Sequence, residues 1–128
     1  NNTIPIFDSK KKIRKKIMTI ITDTTGIDEP KDKDTPLFQL YSLFLNEEDR
    51  LKLSDRYDSK GVRYGDVKQE LFEKVMEYFQ PYREKRNRLA SRPQEIYEIL
   101  RYGSEKADSI ASEVLDRVKS SVGMSYKK

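Results

Sequence analysis

The sequence contains no cysteine and no histidine, and these two absences remove most of the chemistry a small chain can carry. Without thiols there is no disulfide framework and no thiolate metal site. Without imidazole the commonest general base, the usual zinc ligand and every histidine-dependent triad are gone. Glycine and proline are sparse at five each, which argues against a turn-rich all-β design. No stretch reaches 18 consecutive apolar residues, and the first residues lack the apolar run of a secretory signal. A soluble, cytoplasmic chain with no membrane partner is the expectation. The sequence opens on Asn1 with no initiator Met, so a piece of something longer is also expected.

What is present is charge. Charged residues make up 38% of the 128 and apolar ones 35%, a balance that suits helices with one buried stripe and one wet face. A chain of this length suits one domain, and a domain of this size can bury about two-thirds of its unfolded surface. The net charge of +4 is mild but unevenly spread. Lys10 to Lys16 carries six cations and no acid, and Tyr82 to Arg92 carries five cations against Glu84 alone. Asn46 to Pro81, by contrast, carries nine acids against seven cations.

In chain order, Ile4, Ile6 and Phe7 around Pro5 suggest an extended segment that packs onto something. Asp8 is placed to cap a helix from Ser9 to about Ile21, whose Ile13, Ile17, Ile20 and Ile21 fall at helical spacing. Lys10, Lys11 and Lys12 sit in its first turn, where the helix dipole disfavours each cation by roughly 0.3–1 kcal/mol. They belong either to a solvated face or to an anionic partner such as a row of phosphates. From Thr22 to Asp34 runs a polar loop of about a dozen residues without periodicity, the kind of loop that is functional or a mobile linker. Thr35-Pro36 then opens a helix with Leu37, Leu40, Tyr41, Phe44 and Leu45 on its apolar face. Asn46 caps a third helix running to about Tyr57, with Leu51 and Leu53 as its expected buried residues. Asp58-Ser59-Lys60-Gly61 is turn chemistry. A long helix follows from Gly65 or Asp66 to about Ser91, with Pro81 expected to kink it. The last helix is expected from Pro93 to about Val122, with Ile96, Leu100, Gly103, Ala107, Ile110, Val114, Val118 and Val122 on one face. The small residues Gly103, Ala107 and Ala111 would let a neighbouring helix approach closely. Gly123 fits a C-cap, and Ser125 to Lys128 is expected to fray.

No constellation here carries catalysis. Asp28, Glu29, Asp32 and Asp34 lack the glycine and the bidentate glutamate of a calcium loop. There is no glycine-rich phosphate loop, nucleophile elbow or metal-ligand pair. Binding remains, and the basic stretches point to nucleic acid. Tyr64, Tyr78, Tyr82 and Tyr97 either stack on splayed bases or sit half-buried at helix interfaces. Arg83, Lys85, Arg86, Arg88 and Arg92 turn around their helix, so they cannot all face one partner. The residues alone give an all-α domain with an RNA-facing side. A non-catalytic helical protein-interaction module is the competing class.

Several ordered segments add a resemblance. Asn1-Asn2-Thr3-Ile4-Pro5-Ile6-Phe7 is followed by I-R-K-K-I-M at Ile13 to Met18, Thr22-Asp23-Thr24-Thr25, and P-K-D-K-D-T-P-L-F-Q-L-Y-S-L-F at Pro30 to Phe44. Then come Tyr64-Gly65-Asp66-Val67-Lys68, P-Y-R-E-K-R at Pro81 to Arg86 and G-S-E-K-A-D-S-I-A at Gly103 to Ala111. Together these resemble the C-terminal part of bacterial tryptophanyl-tRNA synthetases over essentially the whole chain.

The resemblance implies a class I synthetase whose KMSKS loop would directly precede Asn1, with the HIGH signature, nucleotide-binding sheet and tryptophan pocket further upstream. It implies an all-α bundle of about five helices, two of them long and C-terminal, forming the anticodon-binding domain. Residues 1–22 would link from the catalytic domain and residues 23–128 would form the helical domain. ATP and Mg²⁺ would serve the parent enzyme, with no cofactor in these residues. The implied partners are tRNA(Trp) and the chain's own catalytic domain, in a homodimeric parent. The same resemblance implies that the anticodon loop docks near Thr22, Asp23 and Lys68. Asp23 can accept from an exocyclic amine of the CCA anticodon, and Lys68 can hold a phosphate or an acceptor base edge. Arg63, Lys15, Lys16, Arg83 and Arg86 join them as candidate tRNA contacts, with Lys15 and Lys16 contributing a salt-dependent field for the backbone and not base readout. The Asp28 to Asp34 stretch departs from its counterparts, so no role carries over there.

Overall fold

The computed structural model describes residues 3–124. Among them are five α-helices and no strand: α1 Lys10–Met18, α2 Pro36–Ser42, α3 Glu47–Asp58, α4 Tyr64–Ala90 and α5 Pro93–Ser121. The expected all-α class with two long C-terminal helices is the one observed. By packing, the chain forms two compact units, Asn1–Glu84 and Lys85–Lys128. This division is one of contacts and differs in kind from the functional boundary expected at residue 22. The expectations for Asn1, Asn2 and Ser125 to Lys128 lie outside the described residues.

In the first unit, side-chain caps decide where helices start. The Thr35 hydroxyl accepts from Phe38 N, with Pro36 at the first helical position. Asn46 Oδ1 accepts from Asp49 N at 2.8 Å, and Glu47, Glu48 and Asp49 sit at the positive end of the α3 dipole. α1 departs from expectation at both ends. Its cap is Ser9, whose Oγ accepts from Lys12 N at 3.4 Å, while Asp8 lies one residue outside and pairs with the Lys12 ammonium at 3.8 Å. It also stops at Met18 and not near Ile21. Thr19 N turns back onto the Lys15 and Lys16 carbonyls, and its hydroxyl donates to Lys16 O at 2.8 Å. Such local hydroxyl bonding competes with helix continuation. Ile20 therefore only half-packs against the core, and Ile21 is 85% exposed.

The core of this unit is Ile13 and Ile17 from α1, Leu37 and Tyr41 from α2, Leu53 and Tyr57 from α3, Val62, and Val67, Leu71 and Val75 from α4. Full burial of such a side chain stabilises by about 1.5–3 kcal/mol. Leu51, expected inside, is exposed. Leu53 and Tyr57 stand four residues apart on one helical face, and Leu51 lies off that face. Glu70 ties three helices together, accepting from both Arg56 guanidinium nitrogens at 2.8 and 3.0 Å and from Tyr41 Oη at 3.2 Å. The N-terminal segment is docked as expected: Ile4 packs against the core, Asp8 N donates to Pro5 O at 3.0 Å, and Arg83 donates to Ile6 O.

The loop before α2 is pinned, which sets aside the mobile-linker alternative. Lys31 N donates to Tyr57 O and Gly61 N donates to Ile27 O, both at 2.7 Å, so the loop is laced to the end of α3. Gly61 has φ +93°, the positive value the turn needed. Lys33 Nζ adds an ion pair to Asp58 at 2.6 Å. α4 then runs on through Pro81, which does not end it.

The second unit is built differently. α5 begins at Pro93 and ends where Gly123 takes φ +73°, close to the expected bounds. Arg88 pairs with Glu95 at 3.2 Å. Its apolar face, however, is not covered: α5 has no buried residue, and Ile110, Val114 and Val118 are 57%, 43% and 52% exposed. A Cβ built at Gly103 meets nothing within 4 Å among the described residues, so the close approach expected there is not made within them.

Candidate nucleic-acid interface

The end of α1, the loop after it and the start of α4 meet at one place, and five of the expected tRNA-contact residues lie at or beside it. Lys68 is one turn into α4, and its Nζ reaches back to Met18 O at 3.4 Å, the last residue of α1. A cation there complements the exposed carbonyls and negative end of the α1 dipole. Burial pushes the Lys68 ammonium below its usual pKa. Lys15 and Lys16 lie in the last turn of α1, next to this junction. Thr22 is half-buried and Asp23 exposed immediately after it.

Asp23 is held, not free. Its Oδ1 accepts from Thr25 N at 3.0 Å, and Tyr64 Oη donates to the carboxylate, 2.9 Å from Oδ1 and 2.8 Å from Oδ2. Hydrogen bonds from the Thr25 side chain and backbone, with a smaller share from Tyr64 and the charge of Lys31, hold the carboxyl below the usual carboxylate pKa. Tyr64 shows the reverse: burial first, then the bond to Asp23, pushes its hydroxyl well above the ordinary range. Tyr64 thus donates and Asp23 accepts throughout the physiological range.

Lys31 completes the arrangement and was not foreseen. It is only 5% exposed, and a buried ammonium is costly unless its protons are satisfied. Here Nζ donates to Thr25 O at 2.8 Å and to Gly26 O, and lies 5.0 Å from the centroid of the Tyr64 ring. Those bonds draw the loop around the ammonium, while the ring face offers a cation–π contact. No periodicity marks such a lysine in sequence; the only signal was a long polar loop that had to be held by something.

The remaining expected residues divide. Arg63 is exposed at the entry to α4, beside Tyr64, and its carbonyl accepts from Asp66 N and Val67 N. Arg83 lies fifteen residues beyond Lys68, about 22 Å along the helix, and its guanidinium is engaged with Ile6 O. It therefore holds the N-terminal segment and stands apart from the cluster. Arg86 is exposed and belongs to the second unit. Of the four tyrosines considered, Tyr64 is half-buried, whereas Tyr78, Tyr82 and Tyr97 are 57%, 54% and 66% exposed. Tyr78 and Tyr82 stack on each other with centroids 6.4 Å apart. Among the described residues no group of three or more carboxylates gathers to hold a metal, and no helix is long and apolar enough to cross a membrane.

No protein-family model matches the chain. Individual proteins do. It is 38% identical over 124 residues to the tryptophan–tRNA ligase of Fusobacterium nucleatum, covering 97% of this chain and 38% of that protein. To the tryptophan–tRNA ligase of Rhodopirellula baltica it is 40% identical over 125 residues, with 97% and 39% covered. The crystal structure of the tryptophanyl-tRNA synthetase from Campylobacter jejuni superimposes with a TM-score of 0.90 at 40% identity, over 95% of this chain and 40% of that one. A second structure of that enzyme holds ADP and tryptophan. The chain spans about two-fifths of the length of the relatives it matches, and over that span it is homologous, in sequence and in fold, to the C-terminal helical part of bacterial-type tryptophan–tRNA ligases.

Proposed function

We propose that this chain is the tRNA-binding, anticodon-recognising part of a cytoplasmic tryptophan–tRNA ligase. The observation that carries the reading is the match at about 40% identity and TM-score 0.90 over nearly the whole chain. The parent would activate tryptophan with ATP and Mg²⁺ and transfer it to tRNA(Trp). That chemistry belongs to the part of the relatives this chain does not span, and the chain alone should not exchange pyrophosphate with tryptophan and ATP. Residues 1–22 lead from the catalytic domain, and residues 23–128 present the tRNA-facing surface. Thr22, Asp23 and Lys68 form its centre, with Arg63, Lys15 and Lys16 around them and Arg83 further along α4, and Arg86 in the second unit adds a further candidate contact.

The electrostatics support this. Six cations in the Lys10 to Lys16 run supply a field that falls with salt, while the Asp23 carboxylate offers the acceptor that an exocyclic amine requires. The test is binding of the chain to tRNA(Trp) carrying a CCA anticodon and to the same tRNA with an altered anticodon, at two salt concentrations. Affinity falling with both changes is expected. Equal binding of both tRNAs sinks the anticodon reading.

A second reading applies to the second unit. The uncovered apolar stripe of α5 favours a protein-interaction role there, and the partner that fits is the ligase's own catalytic domain, within a homodimeric parent. Polar substitution along that stripe should weaken association with that domain and leave tRNA binding by the isolated chain unchanged.

A further inference from the structure

We infer that Tyr64 and Lys31 are positioning residues for anticodon specificity: together they fix the direction in which the Asp23 carboxylate is presented. The inference rests on the anticodon reading above and adds residues that neither resemblance nor charge pattern had singled out for this role.

The geometry is a chain of three groups. Lys31 Nζ lies against the Tyr64 ring at 5.0 Å, and the Tyr64 hydroxyl spans both oxygens of Asp23 at 2.9 and 2.8 Å. A carboxylate on a short side chain in an exposed loop would otherwise rotate about its terminal torsion, which is broad and roughly two-fold. Two donors remove that freedom, because Thr25 N holds Oδ1 at 3.0 Å and Tyr64 Oη bridges the pair. A carboxylate has about four lone-pair sites, so Oδ2 keeps acceptor capacity for an outside donor. Lys31 acts one step back. By taking the carbonyls of Thr25 and Gly26 from inside the loop, it sets the backbone whose amide grips Asp23. The Tyr64 ring is itself braced, meeting the fully buried Tyr57 ring edge-on at 6.4 Å.

Fixed direction is what discrimination between bases needs. A well-aimed hydrogen bond to one base edge rejects the wrong edge, whereas a rotating carboxylate accepts from any nearby amine. Phosphate contacts of the kind the α1 lysines can make carry no sequence information.

The test uses the whole 128-residue chain and variants Tyr64→Phe, Lys31→Met and Asp23→Asn. Each is titrated with tRNA(Trp) transcripts bearing CCA or an anticodon altered at one base, and the ratio of the two affinities is the readout. Tyr64→Phe removes only the bridging hydroxyl and should narrow the ratio by about five- to tenfold, the size of one base-edge contact. In combination with Asp23→Asn it should narrow it no further, since both act through one bond. Lys31→Met should narrow the ratio by a similar factor. A Tyr64→Phe chain that weakens both tRNAs equally, or keeps the full ratio of the wild type, overturns the inference while leaving the anticodon reading intact. A wild type with no ratio at all overturns both. A second measurement needs no RNA: the Asp23 carboxyl, followed by NMR titration, should move to higher pH in Tyr64→Phe, and an unchanged titration overturns the bridge itself.

Discussion

α4 and α5 are near twins in length, at 27 and 29 residues, and both carry apolar residues at helical spacing, yet they end up in opposite states. α4 buries Val67, Leu71 and Val75 in the first unit, whereas α5 buries nothing. A 3.6-residue period says that a face needs cover. It does not say that the cover lies in the same chain. The first unit meets the need internally, with four helices and Val62 closing around ten buried apolar residues. In the second unit the stripe through Ile110, Val114 and Val118 stays open.

The largest test of that contrast is substitution on each side. Leu71→Ala, at a fully buried site, should cost about 2–5 kcal/mol in urea denaturation. Val114→Ala should stay within about 0.5 kcal/mol, as surface changes do. Equal costs would mean that the α5 stripe is covered in solution. A dependence on protein concentration would then identify a second copy as the cover.

Next in size is a pH effect confined to the first unit. Burial pushes the Tyr41 hydroxyl up to about 12, helped by the Glu70 carboxylate, and burial likewise pushes Tyr57 up to about 12. Both fold as the neutral form, while an unfolded tyrosine ionises near about 10. Their contribution is therefore complete below the unfolded value and is lost as pH rises from about 10 toward the folded value. The urea midpoint should hold steady up to about pH 10 and fall beyond it. A midpoint that stays flat through that window would deny the burial of both rings.

These contrasts also mark what could be read from residues alone. Pro36 after Thr35, Asn46 before three acids and Gly61 in its turn each act through one or two neighbours, and all three sit where local chemistry put them. Thr19 was harder, because whether a hydroxyl bends back to end a helix depends on what the next residues can pack against. How the candidate residues are held was not legible. Resemblance directed attention to Asp23 and Lys68, yet Asp23 is held by Thr25 N and by Tyr64, forty-one residues away, and the loop that carries Thr25 is held in turn by a buried lysine without period. Long-range polar pairing leaves no periodic trace, so only coordinates reveal it.

Lys68 shows how the structure alters an expectation. As a tRNA contact alone, Lys68 would allow Lys68→Ala to weaken tRNA binding with no loss of stability. Its Nζ sits on Met18 O and complements the end of α1, so the substitution should also cost about 0.5–1 kcal/mol. The loss of affinity should be similar for CCA and altered anticodons if Lys68 holds phosphate, and larger for CCA if it meets a base edge. Titration of both transcripts, beside a thermal melt, separates the two.

The smallest expected effect runs the other way. Tyr57 is fully buried, and its hydroxyl is the one side-chain polar atom among the described residues that is both buried and without a hydrogen-bond partner. The ring earns its place through apolar contact, including an edge-on meeting with Phe38 at 4.8 Å. The hydroxyl adds a desolvation cost with no bond to offset it. Tyr57→Phe keeps the ring and removes the cost, so it should raise stability by about 1 kcal/mol at neutral pH. It should also soften the alkaline transition, because one of the three tyrosines held neutral there would be gone, leaving Tyr41 and Tyr64. A loss of stability on Tyr57→Phe would mean that the hydroxyl has a partner in solution. The first unit would then be held by one more polar tie than its core contacts display, and the contrast with the second unit would rest on more than apolar cover.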